Sequence, residues 1–228
     1  MTISYHTKYY KSRIKRNFYK KFLFIFLIIC GKIINNKIKG VISMELIVAI
    51  DENYGIGYED SLLIHIPNDL KNFKELTTNN IVVYGRKTLN SFRGHKPLPN
   101  RTNVILSRGM FTKETMHMYE IYKRDNVIPQ NSLENALSYI KEQERLGNKV
   151  YIIGGEQIYK MFIDYCEGAY VTKIFASFLA NKFFPNIDKI GNWEIDKTLL
   201  NEVFYSENLD KEIEYAIIHY KNNNPKEY

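Results

Sequence analysis

With 228 residues, the chain has room for one large domain or two small ones, and its 45% hydrophobic content suits a globular core. Its net charge of +7 does not imply a nucleic-acid partner: residues 1–43 hold ten Lys/Arg and no Asp/Glu, which leaves 22 basic and 25 acidic residues, a net of −3, in the remainder. Two cysteines, Cys30 and Cys166, and five histidines without ligand-like spacing argue against a disulfide framework and a metal site.

The first 43 residues differ in character from the rest. A basic run, Lys8 to Lys21, precedes Phe22 to Cys30, an apolar stretch far short of the roughly 20 residues that span a bilayer. The stretch suits the core of an export signal, but Gly31-Lys32-Ile33 is a poor cleavage site. A third reading is upstream sequence translated from too early a start. The segment is rich in residues that AT-rich DNA encodes, and Lys39-Gly40-Val41 is compatible with a ribosome-binding sequence ahead of Met44. We rank the early start first and a membrane or export leader second. Residues 44–228 are expected to form the functional domain.

From Met44 onward, strand and helix patterns alternate. Leu46–Ile50 is a continuous apolar run, as expected of a central strand buried on both faces. Pro67 suits the first turn of a helix reaching about Leu76. Ile81–Tyr84 reads as a second buried strand, followed by a short helix from Arg86. Asn103–Leu106 and Tyr119–Tyr122 are expected strands. Asn131 is expected to cap a helix with Glu134 reaching back; its apolar stripe is Leu133, Ala136, Leu137 and Ile140, and Gly147 ends it. Val150–Ile153 and Ala169–Phe175 are further strands, and Val203–Ser206 with Tyr215–Tyr220 form a closing antiparallel pair. The pattern predicts one α/β domain, with a mainly parallel central sheet, an antiparallel C-terminal edge and flanking helices.

Between the strand at Val150 and the helical pattern Ile158, Phe162, Tyr165 lies Gly154-Gly155. Two glycines at such a corner allow close backbone approach, and the helix start that follows favours an anion. This is not the dinucleotide fingerprint G-x-G-x-x-G, and alone a tight turn explains it. Upstream, however, stand Leu46-Ile47-Val48-Ala49-Ile50-Asp51, Ile56-Gly57, Ile66-Pro67-Asn68-Asp69-Leu70 and Phe73. Then come Gly85-Arg86-Lys87-Thr88, Ser91-Phe92, Pro97-Leu98-Pro99-Asn100-Arg101-Thr102-Asn103, Leu106-Ser107-Arg108 and, later, Val171-Thr172. In order and spacing this set resembles dihydrofolate reductase, from about Met44 to Lys221.

The resemblance implies NADPH-dependent reduction of 7,8-dihydrofolate, with hydride arriving at pterin C6 and a proton at N5. It casts Asp69 as the ionisable group of the pterin pocket, paired with the ring's N3–H and 2-amino group, although an acid in a helix's first turn is also explained by the dipole. Thr172 would orient Asp69; strand propensity is its ordinary explanation. Leu62 falls on a loop that shields the nicotinamide. Ile47, Ala49, Ile64, Phe73 and Ile153 would wall the pterin, and each also reads as ordinary core. Arg101 would take the α-carboxylate of the folate tail, since a guanidinium fork matches a carboxylate.

On the cofactor side the resemblance places Ala49, Ile56, Gly57, Gly85 and Leu106 along NADPH. Arg86, Lys87 and Thr88 suit its pyrophosphate, and Arg86, Ser107 and Arg108 its 2′-phosphate. Gly154 and Gly155, joined by a cis peptide, begin a corner that continues through Glu156, Gln157, Ile158 and Tyr159. Two departures stand out. Ile64 replaces a tryptophan that carries an N–H donor, and Asn181 replaces the acid that pins the active-site loop. A folate- or NADPH-binding module with weak turnover, and a pyrimidine reductase of riboflavin synthesis with the same fold, are the alternatives. We expect a cytoplasmic monomer that binds dihydrofolate and antifolate inhibitors, with no metal and no nucleic acid.

Overall fold

The structure, a computed structural model, describes residues 44–109 and 126–228. The strands are β1 (Met44–Ile50), β2 (Gly55–Gly57), β3 (Ile81–Gly85), β4 (Thr102–Leu106), β5 (Val127–Gln130), β6 (Val150–Gly154), β7 (Gly168–Ile174), β8 (Lys182–Phe183), β9 (Trp193–Ser206) and β10 (Lys211–Asn222). The helices are α1 (Pro67–Thr77), α2 (Arg86–Ser91), α3 (Leu133–Arg145) and α4 (Glu156–Phe162). Eight strands form one sheet in the order β5-β4-β3-β6-β1-β7-β10-β9, and β2 pairs with β8 apart from it. All pairings from β5 to β7 are parallel; β10 joins β7, and β9 joins β10, in antiparallel fashion. The expected mainly parallel sheet with an antiparallel C-terminal edge is therefore observed.

The continuous apolar runs become the centre of the sheet because they are covered on both faces. Leu46, Val82, Val83 and Ile152 are fully buried. One face of the sheet carries Leu46, Val48, Val83 and Ile152 into a cluster with Ala136, Ile140 and Phe162 of α3 and α4. The other carries Ile47, Val82, Tyr151 and Ile153 toward Phe73 and Leu76 of α1. Each fully buried Leu, Ile or Val contributes roughly 1.5–3 kcal/mol relative to exposure, so this two-sided covering fixes β1, β3 and β6 in place.

Several boundaries differ from expectation. Ser132, not Asn131, caps α3: its Oγ accepts from the Asn135 backbone N–H at 3.2 Å, while Asn131 accepts only from the Asn135 side chain. Two cap-competent residues stand side by side, and only Ser132 is placed for the first turn. Gly147, just past this helix, has φ +93°, as its stop role requires. α4 ends at Phe162, and Tyr165 packs instead against Tyr228 at 6.0 Å. β5, β2 and β8 have no counterpart in the sequence reading. β9 extends over fourteen residues, far beyond Val203–Ser206. The strand expected at Tyr119–Tyr122 lies outside the described residues.

Candidate active site

Pro67 at the start of α1 presets the backbone for a helix turn, and Asp69 sits two residues on. Along α1, Ile66 belongs to the cluster with Ile174, Tyr215 and Ile217, with Ala49 and Ile64 packed beside it. Phe73 belongs to the cluster with Ile47 and Ile153. Asp69 is thus flanked along its helix by both apolar groups. Thr172 on β7, fully paired with Ala49 of β1, donates its hydroxyl to Asp69 Oδ1 at 2.5 Å. Burial raises the Asp69 carboxyl above the usual carboxylate range, and the donated Thr172 bond partly opposes this.

Tyr159 of α4 is buried, and its hydroxyl donates to the Ile47 carbonyl at 2.7 Å. Burial and, second, the Asp69 charge raise its phenol well above the ordinary range. It is therefore a neutral donor held in the core, not a side chain facing out toward a bound molecule. Ile158 is also buried, and Gly85 allows its approach: a Cβ on Gly85 would lie 3.2 Å from Ile158 Cγ1. Glu156 pairs with Lys160 at 2.6 Å, and Gln157 is exposed.

The Gly154–Gly155 peptide is cis, as the resemblance implied. A Cβ on Gly154, where φ is +108°, would lie 2.9 Å from Tyr159; one on Gly155 would lie 3.3 Å from Thr88 Oγ1. The corner thus runs against the start of α2, where Gly85 offers no side-chain cap. Arg86 and Lys87 are exposed and, among the described residues, pair with no carboxylate. Arg108 is likewise exposed and unpaired among the described residues, and Ser107 is half-buried and continues β4 by pairing its N–H with Gln130. Leu106 is buried beside it. Backbone glycine, free cations and an uncapped helix start fit an extended phosphate-bearing ligand.

Arg101 is the largest change from the sequence reading. A loop arginine is ordinarily exposed, but this one is only 8% exposed. Its Nε donates to Thr77 Oγ1 at 2.8 Å and one terminal nitrogen to the Pro99 carbonyl at 2.6 Å, with the guanidinium 5.9 Å from the Phe73 ring. Burial lowers its pKa, and among the described residues it has no carboxylate partner. A buried guanidinium held by neutral acceptors is an unfinished ion pair and an appropriate receptor for a carboxylate. Thr77, which holds it, was not singled out in the sequence; no local signal marks a threonine at a helix end for this role.

The loop after β1 is organised by Asp51, another residue the sequence reading named without a role. Its carboxylate accepts from the N–H groups of Gly55 at 2.7 Å, Asn53 at 2.9 Å and Phe178 at 3.0 Å. A side chain at Gly55 would meet Ala180 Cβ at 2.7 Å, and one at Gly57 the Ser61 carbonyl at 2.7 Å. Asn181 does pin the loop without a charge: its side-chain carbonyl accepts from Glu59 N–H at 2.9 Å, and its own N–H donates to the Gly57 carbonyl at 3.1 Å. Ile56 packs partly buried on the first cluster, Ile64 is half-buried, and Leu62 is 53% exposed, just past the turn that the Tyr58–Ser61 bridge closes. No described group of His, Cys, Asp and Glu is arranged to hold a metal ion.

Residues 43–222 match the family model for dihydrofolate reductase. The chain is 31% identical over 152 residues to dihydrofolate reductase of Haemophilus influenzae, covering 67% of this chain and 82% of that protein. It is 34% identical over 153 residues to the enzyme of Staphylococcus aureus, covering 67% and 84%. A solved dihydrofolate reductase from Enterococcus faecalis, complexed with NADP(H) and RAB-propyl, superposes with a TM-score of 0.61 at 30% identity, covering 80% of this chain and 97% of that one. The part-buried Asp69–Thr172 pair, the anchored Arg101 and the glycine corner thus occur in a chain that belongs to the dihydrofolate reductase family.

Proposed function

We propose that Asp69 is the carboxylate that holds and polarises the pterin, with Thr172 orienting it and Arg101 taking the carboxylate of the substrate's tail. The enzyme reduces 7,8-dihydrofolate to tetrahydrofolate with NADPH. The observation that carries the assignment of roles is the pair of complementary orphans. Among the described residues, Asp69 is a carboxylate with a single side-chain donor and no cation, and Arg101 is a guanidinium with no anion. Dihydrofolate carries a donor pair at one end and carboxylates at the other, which completes both.

NADPH supplies the hydride. Arg86, Lys87, Thr88, Ser107 and Arg108 would hold its phosphates, and the Gly154-Gly155 backbone would lie along it. The chain's own residues bind, orient and exclude water. Asp69 draws positive charge onto the ring system, so that protonation at N5 is easier and C6 becomes more electrophilic. Ile47, Ala49, Ile64, Phe73 and Ile153 keep that charge in a low-dielectric setting, and the loop pinned by Asn181, which leads into Leu62, covers it. Every side chain invoked comes from one copy of the chain, which supports a monomer. A cytoplasmic location is part of the same proposal, and an antifolate that mimics the pterin would use the same Asp69 contact. No helix among the described residues is long and apolar enough to cross a membrane.

The test is NADPH oxidation with dihydrofolate in wild type and in the double variant Arg86→Ala, Arg108→Ala. Charge-assisted hydrogen bonds contribute roughly 1.5–3 kcal/mol each, so the KM for NADPH should rise at least tenfold while that for NADH barely moves. Equal losses with both cofactors would show the arginines to be structural.

A further inference from the structure

Asp188 is a partly exposed carboxylate on which three donors from three parts of the chain converge. It sits on the 3-10 turn Ile187–Lys189, whose Ile187 is fully buried in the first core cluster. Its Oδ1 accepts from the hydroxyl of buried Tyr220 on β10 at 2.6 Å. Its Oδ2 accepts from Lys173 Nζ on β7 at 2.6 Å and from the Tyr54 hydroxyl at 2.5 Å. Burial works to raise the carboxyl, but the bonds from Lys173, Tyr220 and Tyr54 outweigh it and hold the group below the usual carboxylate range. It is therefore an anion at neutral pH. Lys173 follows Thr172 directly along β7, and Tyr54 lies in the loop after β1. One carboxylate thus ties that loop to two strands of the main sheet.

Tyr54 is where the tie has leverage. Its φ is +62°, a left-handed conformation that a bulky side chain rarely adopts. Such a residue persists only where its surroundings over-determine it. The backbone gives two restraints: the Tyr54 N–H donates to the Asp51 carbonyl at 3.0 Å, and its carbonyl accepts from the Phe184 N–H at 2.8 Å. Glycine would make both bonds without the steric cost, so it is the side chain that needs a reason. Its ring packs on the first cluster and its hydroxyl reaches Asp188. Gly55, Ile56 and Gly57 follow directly. We propose that Asp188 is a positioning residue for hydride transfer: through Tyr54 it holds the near end of the loop so that Ile56 and Gly57 stay against NADPH. Asn181 holds the far end independently. The proposal rests on the assignment of Ile56 and Gly57 to the cofactor. A single tie shifts the loop's population by no more than the tie is worth. A hydrogen bond to a charged group is worth about 10- to 150-fold. The Asp188 side chain is 36% exposed, which discounts this to about 3- to 10-fold.

The experiment mixes enzyme preloaded with NADPH with saturating dihydrofolate and reads the single-turnover rate of hydride transfer, well below the Tm of every variant. Tyr54→Phe and Asp188→Asn should each slow that rate by about 3- to 10-fold, while KM for dihydrofolate stays at its wild-type value. The double variant should be no slower than Asp188→Asn alone, because both changes cut the same bond. A tie that serves stability alone would lower the Tm and leave the hydride-transfer rate untouched. That result in Tyr54→Phe, or losses that multiply in the double variant, would overturn the proposal. Ile56→Ala separates the two readings. If it changes neither NADPH affinity nor hydride transfer, the assignment of the loop to the cofactor fails. If it slows hydride transfer and Tyr54→Phe does not, only the role of Asp188 fails.

Discussion

Thr172→Val is nearly isosteric and removes one interaction: the hydroxyl that donates to Asp69 Oδ1 at 2.5 Å. The strand backbone tolerates the change, since valine favours extended conformation at least as well. The loss is that of a hydrogen bond to a charged group, worth roughly 1.5–3 kcal/mol, or about a 10- to 150-fold fall in kcat/KM at 1.4 kcal/mol per decade. It has a second signature. The Thr172 bond is the influence that holds the Asp69 carboxyl down against burial. Without it burial is unopposed, and the Asp69 limb of the pH profile moves to higher pH. Steady-state NADPH oxidation across pH reads both effects, and fluorescence titration of NADPH alone serves as the control, because the cofactor half is untouched. Thr172→Ser should restore both rate and profile. Wild-type kcat/KM with an unshifted profile in a folded Thr172→Val enzyme would refute the orienting role.

Three other outcomes follow from the same geometry. Asp69→Asn should lower turnover at neutral pH by orders of magnitude while NADPH still binds. It should also raise the Tm of the ligand-free protein, because a carboxyl whose folded pKa is raised costs stability once pH exceeds its unfolded value of about 3.9; a lower Tm at neutral pH would contradict this. His219 is held between Glu45 at 3.0 Å and Asp196 at 2.9 Å, and first the Glu45 bond, then the Asp196 bond, raise its pKa against burial. That contribution is present in full below about pH 6.5 and lost as pH climbs through the raised value, so the Tm should decline there in wild type and stay flatter in His219→Gln. A chain beginning at Met44 should fold, reduce dihydrofolate and melt within a few degrees of the full-length protein; failure to fold would give residues 1–43 a structural part.

The sequence made the buried parallel strands legible because burial on both faces leaves an uninterrupted apolar run, as at Leu46–Ile50 and Ile81–Tyr84. It made the edges obscure for the same reason. β9 is the outer strand, largely exposed along its length, so Glu194, Asp196, Lys197, Asn201 and Glu202 break any alternation. β5 is the other outer strand and carries Pro129, whose missing N–H is tolerated only where no neighbour needs it. The two- and three-residue strands β8 and β2 are set by Asp51 and Asn181 reaching across the chain, which no local pattern records. At the site, the resemblance to dihydrofolate reductase, not the residues taken alone, singled out Asp69, Thr172 and the glycine corner. It did not show that Arg101 is buried, because that depends on Thr77 closing over it from a separate helix. Nor did it show that Ile158 and Tyr159 turn inward, since Gly85 and Gly154 make room for them only in three dimensions.

The position of β1 sets an order of events on the ribosome. This central strand is made first, yet its partners arrive late: Met44 pairs with Val150, 106 residues on, and Leu46 with Ala169, 123 residues on. At roughly 5–20 residues per second, translation leaves β1 without neighbours for on the order of 5–21 s. During that time a strand built to be covered on both faces is bare on both, which makes the nascent chain a natural client for holding chaperones and slow to collapse correctly. Asp69 emerges in the same interval, 103 residues ahead of the threonine that orients it. The pterin pocket is therefore assembled only when the C-terminal half of the chain has been delivered.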